Sequence, residues 1–321
     1  MGWKGTMRSI AAASRAADRE AARHHKAAVK AQKIEDAEDA VDEWEDYISK
    51  LISVHVDIAD AINWEEIANT PKPKSPKLET SYHDSAKKAV DNFKPKFFDF
   101  LSGGSDKKQA TLEEKFANSN EKDKAHFNSE KKNHKTAMKE WEQETSLARR
   151  LIAGENDAVK EVLEEMQSLT EQDLIGSQVS FTISDNGFHA IPEVHGDDII
   201  PDYRRKQLAS GSLSQTKMPV GEFNELYQDY VASVALKVAG DMFHILPLSE
   251  VYVTCVTPML NTQTGHQELS AILSVQFVKE TFKALNLSSI DPSDSMRNFN
   301  HVMKFKRTKG FEKIEPLKPF E

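Results

Sequence analysis

Two runs of apolar residues, spaced alternately by three and four, constrain this chain more than any other feature. The first is Ile34, Ala37, Val41, Trp44, Ile48, Leu51, His55, Ile58 and Ile62. The second is Met138, Trp141, Thr145, Ala148, Ile152, Val159, Val162, Met166 and Leu169. A seam that repeats every 3.5 residues keeps one face of a helix against a partner along its length. Each run covers roughly 30 residues, or about 45 Å of helix. Two seams of matching length predict an antiparallel helical hairpin within one chain. The other arrangement pairs each run with its copy in a second molecule. Gly154 and Glu155 interrupt the second seam and predict a break there. His55 on the first seam is expected as a packed, hydrogen-bonded residue, not as a ligand.

Between the runs, NWEEIANTPKPKSPK reads as a helix end followed by a proline-stiffened extended segment. A short helix is expected from Ser85 to Phe93. Thr111 to Thr136 is helix-compatible and nearly all polar, so it predicts a helix solvated on most sides. The stretch FKPKFFDFLSGG then falls at the tip of the hairpin, near 93–104. Phe93, Phe97, Phe98 and Phe100 there, with Leu101, either close the hairpin by packing on Phe116 or reach outward. With Lys94, Lys96, Lys107 and Lys108 beside them, they would suit a partner groove or a membrane surface.

The C-terminal half changes period. QVSFTIS and FHAIPEVH flank Asp185-Asn186-Gly187, a hairpin signal. A loop follows, and then a long helix from Glu222 to Leu246 with a broad apolar face from Phe223 to Leu246. VYVTCVTPML and AILSVQF are apolar strands joined through Gly265. A helix around Lys279 to Leu285, then DPSDSMRNF, where Asp291 or Ser293 can cap the last helix, and an edge strand in HVMKFKRTKGFEKIEPL complete the chain. The fold class is therefore α+β: a helical hairpin over 1–170, then a compact, mainly antiparallel α+β domain over 171–321.

Charge and cysteine usage bound the function. At 321 residues two domains are expected, and the net charge of -9 argues against a protein coated for nucleic acid. The charge is uneven: eight Lys/Arg stand against Asp18 and Glu20 up to Ile34, and Glu35 to Asp46 holds eight acids and no base. The basic arm has some transit-peptide character, which Asp18, Glu20 and the continuing helical pattern oppose. Arm and acidic block could pair with each other, within a chain or between copies. No apolar run approaches the ~18 residues of a membrane span. The lone Cys255 excludes a disulfide framework and a cysteine-rich zinc site, which fits a reducing cytoplasm.

Motifs for chemistry are sparse. Phosphate-loop, dinucleotide, zinc-protease and serine-hydrolase patterns are absent. Glu193, His195, Asp197 and Asp198 in EVHGDD have the residue types of a divalent-metal site. His195 is equally a candidate general base, as is His266 with Glu268 in TGHQE, a histidine that a carboxylate could orient. Strands behind a long helix also outline a PD-(D/E)xK nuclease core, but ELSAILSVQF lacks the acid-x-Lys pair. Lys304, Lys306, Arg307 and Lys309, interleaved with Phe305 and Phe311, are the best local nucleic-acid candidate. The same charges would also protect an edge strand from pairing.

Taken together, WEDYISKLISVH, INWEEIA, FKPKFFDFLSG, ELYQDYV, LNTQTGH, DPSDSMRNF and FKRTKGFE resemble a group of uncharacterised bacterial cytoplasmic proteins. They run from Trp44 to Glu312 and so cover most of the chain. The resemblance implies a stable two-part architecture in a bacterium and carries no activity. The expectation is a non-enzymatic scaffold or adaptor with protein partners, self-association included, and no cofactor. The alternative is an enzyme acting on nucleic acid or nucleotides, with the α+β domain as core and the helices as a clamp.

Overall fold

The computed structural model describes residues 30, 32–94, 104–167, 178–184 and 187–318. It is a mixed α+β structure with a mainly antiparallel six-stranded sheet. The chain divides into two compact units, and the division is discontinuous. One holds the described residues of 1–62 and 160–321, and the other is 63–159. The expected long hairpin of two paired runs is not confirmed, and the long helical stretch of the second run is bent. The first run belongs with the C-terminal half, and most of the second lies in the other unit.

In the α+β unit, helix α1 (32–52) carries the first run and ends ten residues before Ile62. The Ser53 hydroxyl bonds back to Ser49 O at 2.6 Å, and Val54–Val56 forms a 3-10 turn rich in β-branched residues. Beyond that turn the long helix α7 (Val220–Ile245) holds the chain directly. Ala59 N donates to the Asp241 carboxylate at 2.8 Å, and Ile62 N donates to His244 O at 2.9 Å. Gly240 of α7 leaves space for Ile58, which a Cβ would strike.

Strands β1 (Gln178–Ser184) and β2 (Gly187–Glu193) form the expected hairpin. A ribbon, β3 (Tyr203–Gln207) with β4 (Leu213–Lys217), stands where sequence suggested a loop. Its polar sequence hid it, because it grips α1 mainly through backbone acceptors. Trp44 Nε1 donates to Tyr203 O at 3.1 Å, Gln207 Nε2 to Ile34 O at 2.9 Å, and Arg205 Nη1 to Ala40 O at 3.3 Å.

The main sheet has the order β1-β2-β5-β6-β7-β8, with β5 (Glu250–Leu260), β6 (Gln267–Val278), β7 (Asn300–Lys306) and β8 (Gly310–Glu312). Among the described residues only β2 and β5 run parallel, a pairing made after the chain has passed through α7. Val251, Val253 and Cys255 alternate with Tyr252 and Thr254 on β5, so the first three share one face. The Cys255 thiol reaches Val231 O of α7 at 3.8 Å, which identifies that face as the helix-covered core. Leu273, Val275 and Phe277 lie beside them on β6, all buried. On the opposite face the segment after β8 crosses the sheet: Ile314 N donates to Ala271 O, and Leu317 N to the Ser274 hydroxyl at 3.1 Å. Short helices α8 (Lys279–Lys283) and α9 (Pro292–Ser295) follow β6. Asp291 caps α9 by accepting from Asp294 N at 2.9 Å, as the DPSD sequence implies.

The helical unit holds α2 (Trp64–Ala68), α3 (Ser81–Asp91), α4 (Gly104–Ala117) and α5 (Ser119–Ile152). Helices α4 and α5 are nearly continuous, broken at Asn118, where the Ser119 hydroxyl donates to Phe116 O at 2.6 Å. Helix α5 packs on α2, where Trp141 Nε1 donates to Thr70 O at 2.8 Å and Arg149 to Ala68 O at 3.1 Å. Gly154, with φ of 78°, closes α5 through Gly154 N to Leu151 O and Glu155 N to Arg150 O. This is a Schellman ending and accounts for the break in the second seam. The next helix, α6 (Asn156–Gln167), carries Val159, Val162 and Met166 of that run, and Leu169 lies outside the described residues.

Candidate functional site

Along α4, Lys107, Lys108, Thr111, Leu112 and Lys115 recur at one-turn intervals and so share a face. With Phe93, just beyond the end of α3, they line an open cleft of about 460 Å³ in the helical unit. Its chemistry is divided. Phe93 and Leu112 supply apolar surface, and three ammonium groups and one hydroxyl surround it. Lysines of this kind keep their heads in water while their stems extend the apolar wall.

The walls are held by contacts within the same unit. Both oxygens of the buried Asp123 carboxylate accept from the first turn of α3, from Tyr82 N and His83 N, each at 3.0 Å. A carboxylate on free amides at a helix N-terminus is doubly favoured, by hydrogen bonding and by the helix dipole. The His83 ring lies 4.9 Å from that of Phe116, and its Nδ1 lies 3.3 Å from the Ser119 hydroxyl. Phe93 of the expected aromatic tip thus belongs to the cleft. Phe97, Phe98 and Phe100 lie outside the described residues, as do Leu101 and the basic arm up to residue 29.

The proposed metal residues occupy the exit of β2. Glu193 ends the strand beside Val256, and Asp197 and Asp198 start a 3-10 turn. Among the described residues no group of three or more His, Cys, Asp or Glu side chains is placed to hold a metal ion. What fixes this exit is a pair of tyrosines on α7. The Tyr227 hydroxyl donates to His195 O at 2.9 Å, and the Tyr230 hydroxyl accepts from His195 N at 3.2 Å. Burial pushes both phenols far above their ordinary value, so they serve as neutral clamps. Burial likewise pushes up the Cys255 thiol, which makes it a packed residue and not a nucleophile.

His266 and Glu268 lie at the β5–β6 turn. Glu268 accepts there from Asn261 Nδ2 at 2.9 Å and from the Thr264 hydroxyl at 3.3 Å, so its carboxylate braces the loop. The basic residues near the C-terminus are partly neutralised. Arg307 pairs with Glu225 of α7 at 2.8 Å and Lys306 with Glu312 at 3.4 Å. Phe305 and Phe311 pack together at 5.3 Å, and Phe311 lies 5.7 Å from Tyr227. Lys304 sits on β7 and Lys309 in the β7–β8 turn.

Two features escaped sequence reasoning. The first is a buried polar chain across three strands. His189 Nε2 lies 2.8 Å from the Thr254 hydroxyl, which lies 2.8 Å from the Ser274 hydroxyl, which accepts from Leu317 N. The signal was present as polar residues inside apolar strands, but their register decides whether they meet. The second is Asp229 on α7, hydrogen-bonded to Ser293, with its carboxyl pushed up to about 6 chiefly by burial. His55 is as expected: Nδ1 lies 2.8 Å from the Ser233 hydroxyl and Nε2 lies 2.9 Å from Leu287 O.

No family model, no curated protein and no solved structure matches this chain. No helix among the described residues is long and apolar enough to cross a membrane.

Proposed function

We propose that this chain is a non-enzymatic adaptor of the bacterial cytoplasm. Its helical unit would capture a protein partner, and its α+β unit would act as a stable body. The lysine-rimmed cleft of Phe93, Leu112, Lys107, Lys108 and Lys115 carries this reading. Apolar surface inside a cationic rim suits an acidic segment that inserts one or two apolar side chains. Hydrogen bonds that position the helices, such as those of Asp123, give the cleft a defined shape before a partner arrives. Two structural roles support the reading: Glu268 braces a turn, and two tyrosines clamp the backbone of His195.

The test compares recovery of partners from bacterial lysate by the full chain and by a Phe93→Ser/Leu112→Ser variant with an unchanged circular dichroism spectrum. A Lys304→Ala/Lys309→Ala variant serves as the control in the other unit. Selective loss of a partner with the cleft variant, reduced by high salt, is the expected result. Equal recovery by all three chains would overturn the reading. Loss of vesicle binding in place of a protein would reassign the cleft to a lipid surface.

A further inference from the structure

The segment 70–80 leads from α2 to α3 without helix or strand, and Pro71, Pro73 and Pro76 keep it extended. Thr70 O accepts from Trp141 of α5, and Ser75 meets His134 two turns earlier on that helix. The segment therefore runs antiparallel along α5. Pro73 and Pro76 are half-buried, whereas Lys72, Lys74, Ser75 and Lys77 are exposed. No backbone N–H between Lys72 and Glu79 donates to a described residue.

His134 Nε2 lies 3.2 Å from the Ser75 hydroxyl oxygen. Its Nδ1 is the one buried side-chain polar atom without a partner among the described residues. Such atoms are costly and rare, so each one calls for a use. With Nε2–H donating to Ser75 Oγ, the unpaired atom is a lone pair and not an N–H, the more tolerable of the two. The Ser75 hydroxyl hydrogen is then free to donate to a ligand. Lys74 adjoins Ser75, and Lys131 and Lys135, both exposed, stand on α5 within a turn of His134. None of the three makes an ion pair among the described residues, and Lys131 Nζ rests 5.2 Å from the Phe127 ring. Glu130, one turn before His134, lies 3.9 Å from His126 Nδ1.

We propose that Ser75, Lys74, Lys131 and Lys135 bind a phosphate monoester, with His134 as the residue that positions the serine. The site offers hydroxyl, amide and ammonium donors that lack acceptors. A phosphate monoester carries a charge of about -2 and three strong acceptor oxygens, which answers both needs. A phosphorylated side chain of a partner protein and a small phosphorylated molecule both bring this group. The site is separate from the cleft at Phe93 and stands or falls independently of it.

Titration of the full chain with acetyl-Ala-phosphoserine-Ala-amide, followed by NMR at the amides of Lys74 and Ser75, tests the proposal. Saturable shifts are expected, absent with the unphosphorylated peptide and with sodium chloride at equal ionic strength. Lys74→Ala/Lys131→Ala changes exposed residues only and should weaken binding about tenfold, the scale of one charge-assisted hydrogen bond. Glu130→Gln should tighten it by removing a like charge. His134→Ala should weaken binding as Ser75→Ala does, and the two together should cost no more than one, because the histidine acts through that hydroxyl. Inorganic phosphate separates the sources: affinity at least equal to that of the peptide assigns a small phosphorylated molecule, and weaker affinity assigns a phosphorylated side chain. No saturable shift with either probe, or unchanged affinity in the lysine variant, would overturn the proposal. Additive losses at Ser75 and His134 would overturn the positioning role.

Discussion

The first apolar run follows its expected seam into the core, with Ala37, Ile48, Leu51 and His55 all buried. The second keeps Thr145, Ala148, Val159 and Val162 buried but leaves its seam at the end of α5, where Ile152 is exposed and its neighbour Leu151 is buried instead. The difference lies in what each run packs against. Helix α1 is gripped by the β3–β4 ribbon, whose Tyr203 carbonyl accepts from Trp44 and whose Gln207 and Arg205 side chains donate to carbonyls of α1. The chain past its end is held by α7. Helix α5 packs on α2, which has five residues, and on α3, which has eleven. A seam of 3.5 residues persists only where a long partner enforces it, because a free helix drifts toward its own 3.6 period. Heptad spacing therefore reports that a face is covered and leaves open what covers it.

The sharpest way to break this comparison is to remove one buried leucine from each run. Leu51→Ala and Leu151→Ala should each cost about 2–5 kcal/mol, since both side chains are fully buried. Hydrogen exchange should locate the two losses differently. Leu51→Ala should deprotect the β3–β4 ribbon and α7 first, and Leu151→Ala should deprotect α2 and α5 first. If either substitution loosened α1 and α5 equally, the two runs would pair with each other after all.

What could be read in advance follows the same division. The β1–β2 and β5–β6 hairpins, the long α7, the Gly154 break and the Asp291 cap all rest on local signals: turn residues, periodicity and a capping side chain. The β3–β4 ribbon was missed because YRRKQ and LSQTK have no apolar alternation, and the ribbon is held by contacts to a helix more than 150 residues earlier. The candidate site was legible only in outline. The aromatic and lysine content around Phe93 was evident, but the cleft depends on a face of α4 that extends to Leu112 and Lys115. Glu268 suggested chemistry by residue type, and type alone does not show that its carboxylate already accepts from Asn261 and Thr264.

A smaller effect is expected at Asp123, which sharpens the contrast between a unit shaped by seams and one shaped by caps. Asp123→Ala leaves Tyr82 N and His83 N without their acceptor and should cost about 1–3 kcal/mol. Exchange should rise at those two amides before it rises in α2. Asp123→Asn should recover part of the loss, because one amide oxygen remains to accept. A loss confined to α5, with α3 unchanged, would show that the carboxylate does not hold α3.

The smallest effects concern pH and belong to the α+β unit, where burial shifts groups in opposite directions. His55 and His189 are both held below the ordinary imidazole value of 6.5, chiefly by loss of hydration. Below that value the unfolded chain binds more protons than the folded one, so these residues contribute stability above about pH 6.5 that is lost as pH falls through the lowered folded values. Asp229 works the other way. Its carboxyl is raised from 3.8 to about 6, so between those values the folded chain binds more protons and gains stability on acidification. Between pH 6.5 and 5 the two contributions oppose each other, each limited to about 1.4 kcal/mol per pH unit for one proton. Urea midpoints across this range should therefore separate them. His189→Gln should make the loss of stability on acidification shallower, and Asp229→Asn should make it steeper. If His189→Gln left the slope unchanged, burial would not be holding that imidazole below its ordinary value. If Asp229→Asn left it unchanged, the Ser293 hydrogen bonds would already offset the burial of its carboxylate.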